Sequence, residues 1–448
     1  MHYSFQFASA AQMHTSRRKF FALTGTAFGG LLAAGCTTTS AALAASSANH
    51  FGPLHADPAG VLDLPQGFSY RVISRLGDTM SDGFTVPDRA DGMGCFDLGN
   101  GRLALVRNHE LSPNHDGGGV SMPAYDTIAR SLIPLPGGTT TIEIDAATLE
   151  RTAEYRSLAG TIRNCAGGIT PWNSWLSCEE NTARADGRIN QDHGYVFEVP
   201  ANAGGLVDPV PLRAMGRFNH EAACVDPASG IVYMTEDRGD SLLYRFIPDV
   251  PGDLAQGGTL QALVIDGIAN TSNRGGTFMP LGQPFAGTWI MLDNIEAPED
   301  DLRTRGAAMG AATFARGEGL WMGEGEMFFT ATSGGAAEQG QIFRLRPGAN
   351  GPTAIDLFYE SPGSDEYSFG DNLCVAPFGD LIVCEDQHGD MVDNYLRGIT
   401  PAGEAYAFGR IRLQTEPAGA CFSPDGRTMF LNIYSPTMTL AITGPWTA

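Results

Sequence analysis

Nowhere does this sequence hold the roughly 20 consecutive apolar residues that a membrane-spanning helix needs. The longest candidate, Phe20 to Gly35, is short and interrupted by Thr24, Gly25, Thr26, Gly29 and Gly30. No membrane-spanning segment is therefore expected, and the mature chain reads as soluble. Basic residues are scarce too: Lys and Arg number 28 against 50 Asp and Glu, a net charge of −22. Three of the basic residues lie in positions 1–44, which hold no acid, so the charge without that stretch is −25. Such a surface repels nucleic acid and anionic membranes, which argues against both as partners. Most of the charge reads as solubility. An anionic substrate would need bound cations to reverse the field locally. A complete disulfide framework is also missing, because the eight cysteines become an odd seven if Cys36 is removed.

The amino-terminal segment does carry a signal. Arg17 and Arg18 stand before Lys19, Phe20, Phe21 and the weak apolar stretch, the pattern of a twin-arginine export signal read by the twin-arginine translocase. Two processing sites compete. Ala42-Leu43-Ala44 suits ordinary signal peptidase, giving a signal peptide of residues 1–44 and a free periplasmic or secreted protein. Ala33-Ala34-Gly35-Cys36 resembles a lipoprotein box, giving a lipid-anchored one.

Residues 45–448 read as a single domain. The 57 glycines and 27 prolines with short apolar runs between them favour an all-β fold. Only 304–315 and 125–132 suggest short helices. A repeat decides the architecture. Apolar segments end in acidic residues at Asn108-His109-Glu110, Cys178-Glu179-Glu180, Thr235-Glu236-Asp237 and Cys384-Glu385-Asp386, with weaker copies at 326–332 and 427–433. Preceding segments align when counted back from Pro171, Pro227, Pro377 and Pro424. About six copies of short strands with tight turns such as Pro424-Asp425-Gly426 predict a β-propeller, six-bladed by count, with loop insertions. In that fold the first strand of each blade lines a central channel.

The repeat sorts the cysteines. Cys224, Cys374 and Cys421 share one position, and Cys178 and Cys384 another, where a small thiol fills space in a core. Cys165 differs: six residues before its proline, it occupies the position of Glu221 and Asp371, while Asp91 and Glu318 begin similar segments in looser register. Either it is a ligand or it is packing. Many carboxylates around one channel repel one another unless cations hold them. Hard oxygen ligands suit Ca²⁺, and an added thiolate points to a softer, redox-capable metal such as iron. A third or more of these acids are expected to be solvated strand ends, and the repeat alone does not say which. Arg316 is either an anion-binding residue or a structural salt bridge. His109 and His220 are general acids or simple donors to neighbouring groups.

Taken together, Asp91-Gly-Met-Gly, Asn108-His-Glu110, Asn164-Cys165, Trp175-Leu-Ser-Cys-Glu-Glu-Asn181, Gly216-Arg-Phe-Asn-His-Glu-Ala222, Arg316-Gly-Glu318 and Asp371-Asn372 resemble the PhoX family of alkaline phosphatases from about residue 60 onward. The resemblance implies a propeller with an iron and calcium cluster, Fe³⁺ and Ca²⁺, that hydrolyses small-molecule phosphate monoesters. It implies Cys165, Glu221 and Glu318 as iron ligands, calcium ligands among Glu110, Glu179, Glu180, Asp371, Glu385 and Asp386, and Arg316 as a phosphate contact. The sequence lacks the long insertions of larger members and has Gly317 where proline is common. Two rivals stand beside this reading: a calcium-dependent lactonase or esterase propeller, which has no need of Cys165, and a non-catalytic binding propeller.

Overall fold

Alternating apolar residues bounded by Gly, Pro and Asp turns become short antiparallel strands, and these pack radially. The structure, a computed structural model, describes residues 49–119, 122–348, 353–387, 389 and 391–446. These belong to one compact unit, Ser47–Ala448. The export signal and both processing sites lie outside the described residues.

The protein is an all-β propeller. Blade 1 consists of Ala90–Gly99, Arg102–His109, Gly137–Asp145 and Arg151–Thr161. Blade 2 has three strands, Asn164–Ile169, Ser174–Glu179 and Val196–Pro200. Blade 3 runs through His220–Val225, Val232–Glu236, Tyr244–Pro248 and Gly258–Ile265, and blade 4 through Gly317–Met322, Met327–Ala331, Gln341–Arg346 and Thr353–Glu360. Blade 5 is Gly370–Val375, Leu381–Glu385, Tyr395–Ile399 and Ala405–Ile411, extended by Leu62–Pro65 and Leu54–His55. Blade 6 is Pro417–Phe422, Thr428–Ile433 and Met438–Thr443, completed by Ser69–Arg75 from the other end of the chain, which closes the ring.

Six repeat units are present, but hydrogen bonding among the described residues groups them into five sheets. The strand Phe285–Met291 pairs with Gly258–Ile265 on one side and Thr353–Glu360 on the other, so blades 3 and 4 fuse into one nine-stranded sheet. The two expected helices change as well. The α-helix is Leu302–Ala308, earlier and shorter than 304–315, and the chain turns away at Gly310, whose φ of 104° suits glycine. Residues 125–132 are not helical. The Asp126 carboxylate accepts N–H bonds from Thr127, Asn190 and Gln191 and ties that segment to another loop.

Apolar side chains fill the spaces between blades, and there the cysteines separate. Cys178, Cys224, Cys374, Cys384, Cys421 and Cys95 lie in hydrophobic clusters. Cys165 is buried but belongs to none of them. All seven described cysteines are free thiols.

Candidate metal centre

Each inner strand starts regularly and then bulges, and the bulge aims a side chain at the channel. The register breaks after Ala90, Asn164, His220, Gly317, Gly370 and Ala418. A bulge leaves its extra residue outside the ladder and redirects it. In blades 1 to 5 the residues so placed are Asp91, Cys165, Glu221, Glu318 and Asp371; blade 6 has Ala418 at the matching position, six before Pro424, where it still pairs with Asn432 one residue before the break. Asp91 and Glu318 therefore stand in full register with the others. Sequence counting missed this because residues 97 and 324 are not the marker proline.

A second ring comes from the residue just after each second strand: Glu110, Glu180, Asp237, Thr332, Asp386 and Tyr434. Each donates its backbone N–H to the residue just before the inner strand, namely Arg89, Arg163, Asn219, Arg316, Phe369 and Glu416 in turn. These six backbone bonds repeat in every blade and carry both rings to the same mouth of the channel.

The acidic pairs now divide. Strand alternation turns the first acid into the blade and the second toward the channel. Glu179 accepts backbone N–H bonds from Ile162, Gly194 and Tyr195 and faces His193 Nδ1 at 2.6 Å. Glu385 accepts from Ser368 N, Tyr395 N and Arg397 Nε. Both are spent on internal hydrogen bonds, so the geometry does not bring them to the centre. Glu110, Glu180 and Asp386 do face it.

Two triads lie close enough to share an ion. Ligand atoms of Glu110, Cys165 and Glu180 all fall within 4.8 Å of one another, as do those of Glu221, Glu318 and Asp371. The set Cys165, Glu221 and Glu318 is thus split between two neighbouring groups. Between them, Cys165 Sγ donates to Asp91 Oδ2 at 3.3 Å. Burial, then the carboxylates of Asp91, Glu221, Glu110 and Glu180, push the Cys165 thiol well above its usual range. Burial, followed by mutual repulsion, likewise raises Asp91, Glu221, Glu318 and Asp371 far above ordinary carboxyls.

Orphaned atoms test whether cations fit. Both carboxylate oxygens of Glu221 and Oδ1 of Asp91 are buried without a hydrogen-bond partner. Buried polar atoms are nearly always satisfied, and unpaired ones cost about 1–3 kcal/mol each. Cations among these acids would satisfy them, and the donor sets suit the expected ions. Three carboxylates make a hard-oxygen group fit for Ca²⁺, and the thiol with two carboxylates suits iron.

Arginines hold the rim. Arg163 bridges Glu110 and Glu180. Arg316 forks onto Asp237 at 2.7 and 3.1 Å and reaches Glu318 at 2.8 Å. Asn219 donates to Glu180 Oε1 at 3.0 Å, Arg89 to the Tyr434 hydroxyl at 2.7 Å, and Tyr434 to Glu110. Around the mouth, in five of the six blades, the residue before the inner strand thus meets the residue after the preceding blade's second strand. One such contact joins two acids: Glu416 hydrogen-bonds Asp386, and burial together with that neighbour raises it well above a normal carboxyl. Arg163, Asn219, Glu416 and Tyr434 were not among the expected site residues. Their positions hold a different mix of types in each blade, so no repeat marks them.

His109 and His220 are both buried within the blades. His220 stacks on Phe218, its Nε2 meets Gly216 O, and burial pushes it down to about 3. His109 is likewise buried, between Asp88 O and Thr140 Oγ1.

A propeller whose inner strands aim four buried acids and one thiol at a common channel belongs to the class of channel-site β-propellers. The family model for alkaline phosphatase PhoX matches residues 49–150 and 136–437. The chain belongs to the PhoX alkaline phosphatase family, a family of phosphatases. Among solved structures it is similar to PhoX of Pseudomonas fluorescens in complex with vanadate, a transition-state analogue. That match has a TM-score of 0.66 at 20% identity and covers 86% of this chain and 96% of the other. A gluconolactonase of Xanthomonas campestris matches with a TM-score of 0.39 at 12% identity, over 84% of this chain and 98% of its own. A luciferin-regenerating enzyme matches with a TM-score of 0.44 at 8% identity, over 84% and 96%. A search of curated sequences gave no match.

Proposed function

We propose that this phosphatase is exported and hydrolyses phosphate monoesters at an iron and calcium cluster in its channel. The observation that carries the reading is the pair of unpartnered, buried oxygens on Glu221, set beside Glu318, Asp371 and the Cys165 triad. Cys165, Glu110 and Glu180 would hold one ion and Glu221, Glu318 and Asp371 another, with Asp91 between them and Asp386 with Glu416 at the rim. When bound, the ions supply Lewis-acid stabilisation of charge on the phosphoryl oxygens. Arg316, held at the mouth by Asp237 and Glu318, would contact the phosphate through its guanidinium. The surrounding blades exclude bulk water from the buried ends of the carboxylates. The placement of Cys165 among acids favours this over a calcium-only lactonase.

Hydrolysis of p-nitrophenyl phosphate by protein folded with both metals tests the reading, alongside metal analysis. Cys165→Ala and Glu318→Gln are expected to lower both metal content and activity at least 100-fold. Unchanged activity in both variants would sink the site assignment, and no phosphate release under any metal condition would sink the function. Export rests on Arg17 and Arg18. Changing both to Lys is expected to leave precursor in the cytoplasm, and normal export of that variant would overturn it. The mature protein is then periplasmic or secreted, or lipid-anchored if Cys36 is the processing site.

A further inference from the structure

Arg316 has a counterpart elsewhere in the repeat. Arg163 stands immediately before the inner strand of blade 2 as Arg316 does before that of blade 4. Both carry backbone in the left-handed region, φ 49° and 61°, as do Arg89 at 57° and Phe369 at 50° in the same position of blades 1 and 5. That conformation costs roughly 1 kcal/mol or more and belongs to the turn into the inner strand, so the repeat sets the direction in which each of these side chains leaves it. Each guanidinium reaches back to the acid of the preceding blade, Arg163 to Glu110 and Arg316 to Asp237, and each also holds an acid of its own blade, Glu180 and Glu318. Their side chains are 35% and 28% exposed, so both are open to the mouth. Between them, in blade 3, the same position is Asn219, also a donor.

The consequence is an asymmetric mouth. Over the arc where the inner strands carry Cys165, Glu221 and Glu318, the rim residues are Arg163, Asn219 and Arg316. Over the opposite arc, with Asp371, Ala418 and Asp91, they are Phe369, Glu416 and Arg89. Three donors line the first arc, whereas the second has one, Arg89, which is spent on the Tyr434 hydroxyl. A tetrahedral oxyanion entering an acidic protein is best held where donors converge above the ligand-bearing strands. Cations held by Glu110, Glu180 and Glu318 would compete for the oxygens that Arg163 and Arg316 now bind, and would free guanidinium N–H groups for a ligand while Asp237 keeps Arg316 in place.

We infer that Arg163 is a second oxyanion-binding residue, which grips the phosphate from the blade 2 side while Arg316 grips it from blade 4. The inference rests on the phosphatase reading above and adds a residue to it. It is tested on the full chain loaded with iron and calcium, as wild type, Arg163→Gln and Arg163→Lys. Calorimetric titration with inorganic phosphate, metal analysis, and kcat and KM for p-nitrophenyl phosphate are measured on each.

The expected result is that Arg163→Gln keeps its metals, binds phosphate roughly 10- to 100-fold more weakly, and raises KM more than it lowers kcat. Arg163→Lys restores part of the affinity, since a point charge replaces a fork. Phosphate affinity within two-fold of wild type in a metal-loaded Arg163→Gln overturns the inference while leaving the phosphatase reading intact. If Arg163→Gln loses metal, Arg163→Lys decides: wild-type phosphate affinity there makes Arg163 a scaffold residue only, and a five-fold or greater weakening with metals retained supports the cradle. Wild-type protein that binds no phosphate and releases none overturns both readings.

Discussion

Glu179 and Glu180 are adjacent, identical in chemistry and opposite in role. Glu179 is fully buried and takes three backbone N–H bonds besides His193. Glu180 faces Arg163 and Asn219 at the mouth; burial, opposed by Arg163 and aided by Glu110, pushes it up to about 8. Glu179→Gln leaves buried donors without an acceptor, and is expected to destabilise the fold by about 2–4 kcal/mol while leaving a folded fraction able to bind metal. Glu180→Gln is expected to leave stability without metal unchanged or higher and to cost metal content at least ten-fold. Urea unfolding with metal analysis separates the two; equal metal loss in both would contradict the division. The sequence announced the acidic pair but not which member turns inward, because that depends on where the strand stops.

At the scale of the strand, the site is a repeated irregularity. The residue following each channel-facing position is small or narrow: Gly92, Ala166, Ala222, Gly319, Asn372 and Gly419. A Cβ added at Gly319 would lie 2.6 Å from Asp371 O and 2.7 Å from Asn372 Cα, both backbone atoms of the next inner strand. One at Gly419 would meet Asp91 O at 2.4 Å, at a φ of 58°. These glycines let six inner strands approach closely enough to bring their side chains to one centre. Gly319→Val is expected to cost about 1–3 kcal/mol by overpacking and, by parting blades 4 and 5, to weaken metal binding at Glu221, Glu318 and Asp371. Calcium titration of the purified variant checks it, and wild-type calcium affinity would show that the strand spacing does not matter. The proline-counted repeat made Cys165, Glu221 and Asp371 legible as one column, since strand period and turn are both written in residue types. Arg163 and Glu416 were illegible because their common feature is a backbone position rather than a side-chain type.

For the molecule as a whole, the channel trades self-repulsion for metal binding. Asp91, Glu221, Glu318, Asp371 and Glu416 are all raised well above ordinary carboxyls, with burial the first cause of each and neighbouring acids adding to it. A carboxyl whose folded pKa exceeds its unfolded value near 4.3 stabilises the protein below that value and loses its contribution as pH rises through the folded pKa. With Glu180 at about 8, the window runs from roughly pH 4.3 to 8 and beyond for the deeper acids. Chelated protein is therefore expected to lose stability as pH is raised from 5 to 8, by at least about 2 kcal/mol. Metal-loaded protein is expected to show the opposite slope, because ions bind only deprotonated ligands and their binding free energy grows as the protons leave. Loading at pH 7 should release protons, measurable in weakly buffered solution. The ring that gathers these acids is closed by Ser69–Arg75 against Met438–Thr443, so its completion needs both ends of the domain. Metal binding should thus report on the complete fold: thermal unfolding of the loaded protein is expected to lose ions and ring closure together in one transition. Ion release well below the unfolding midpoint would show that the site opens while the propeller stays closed.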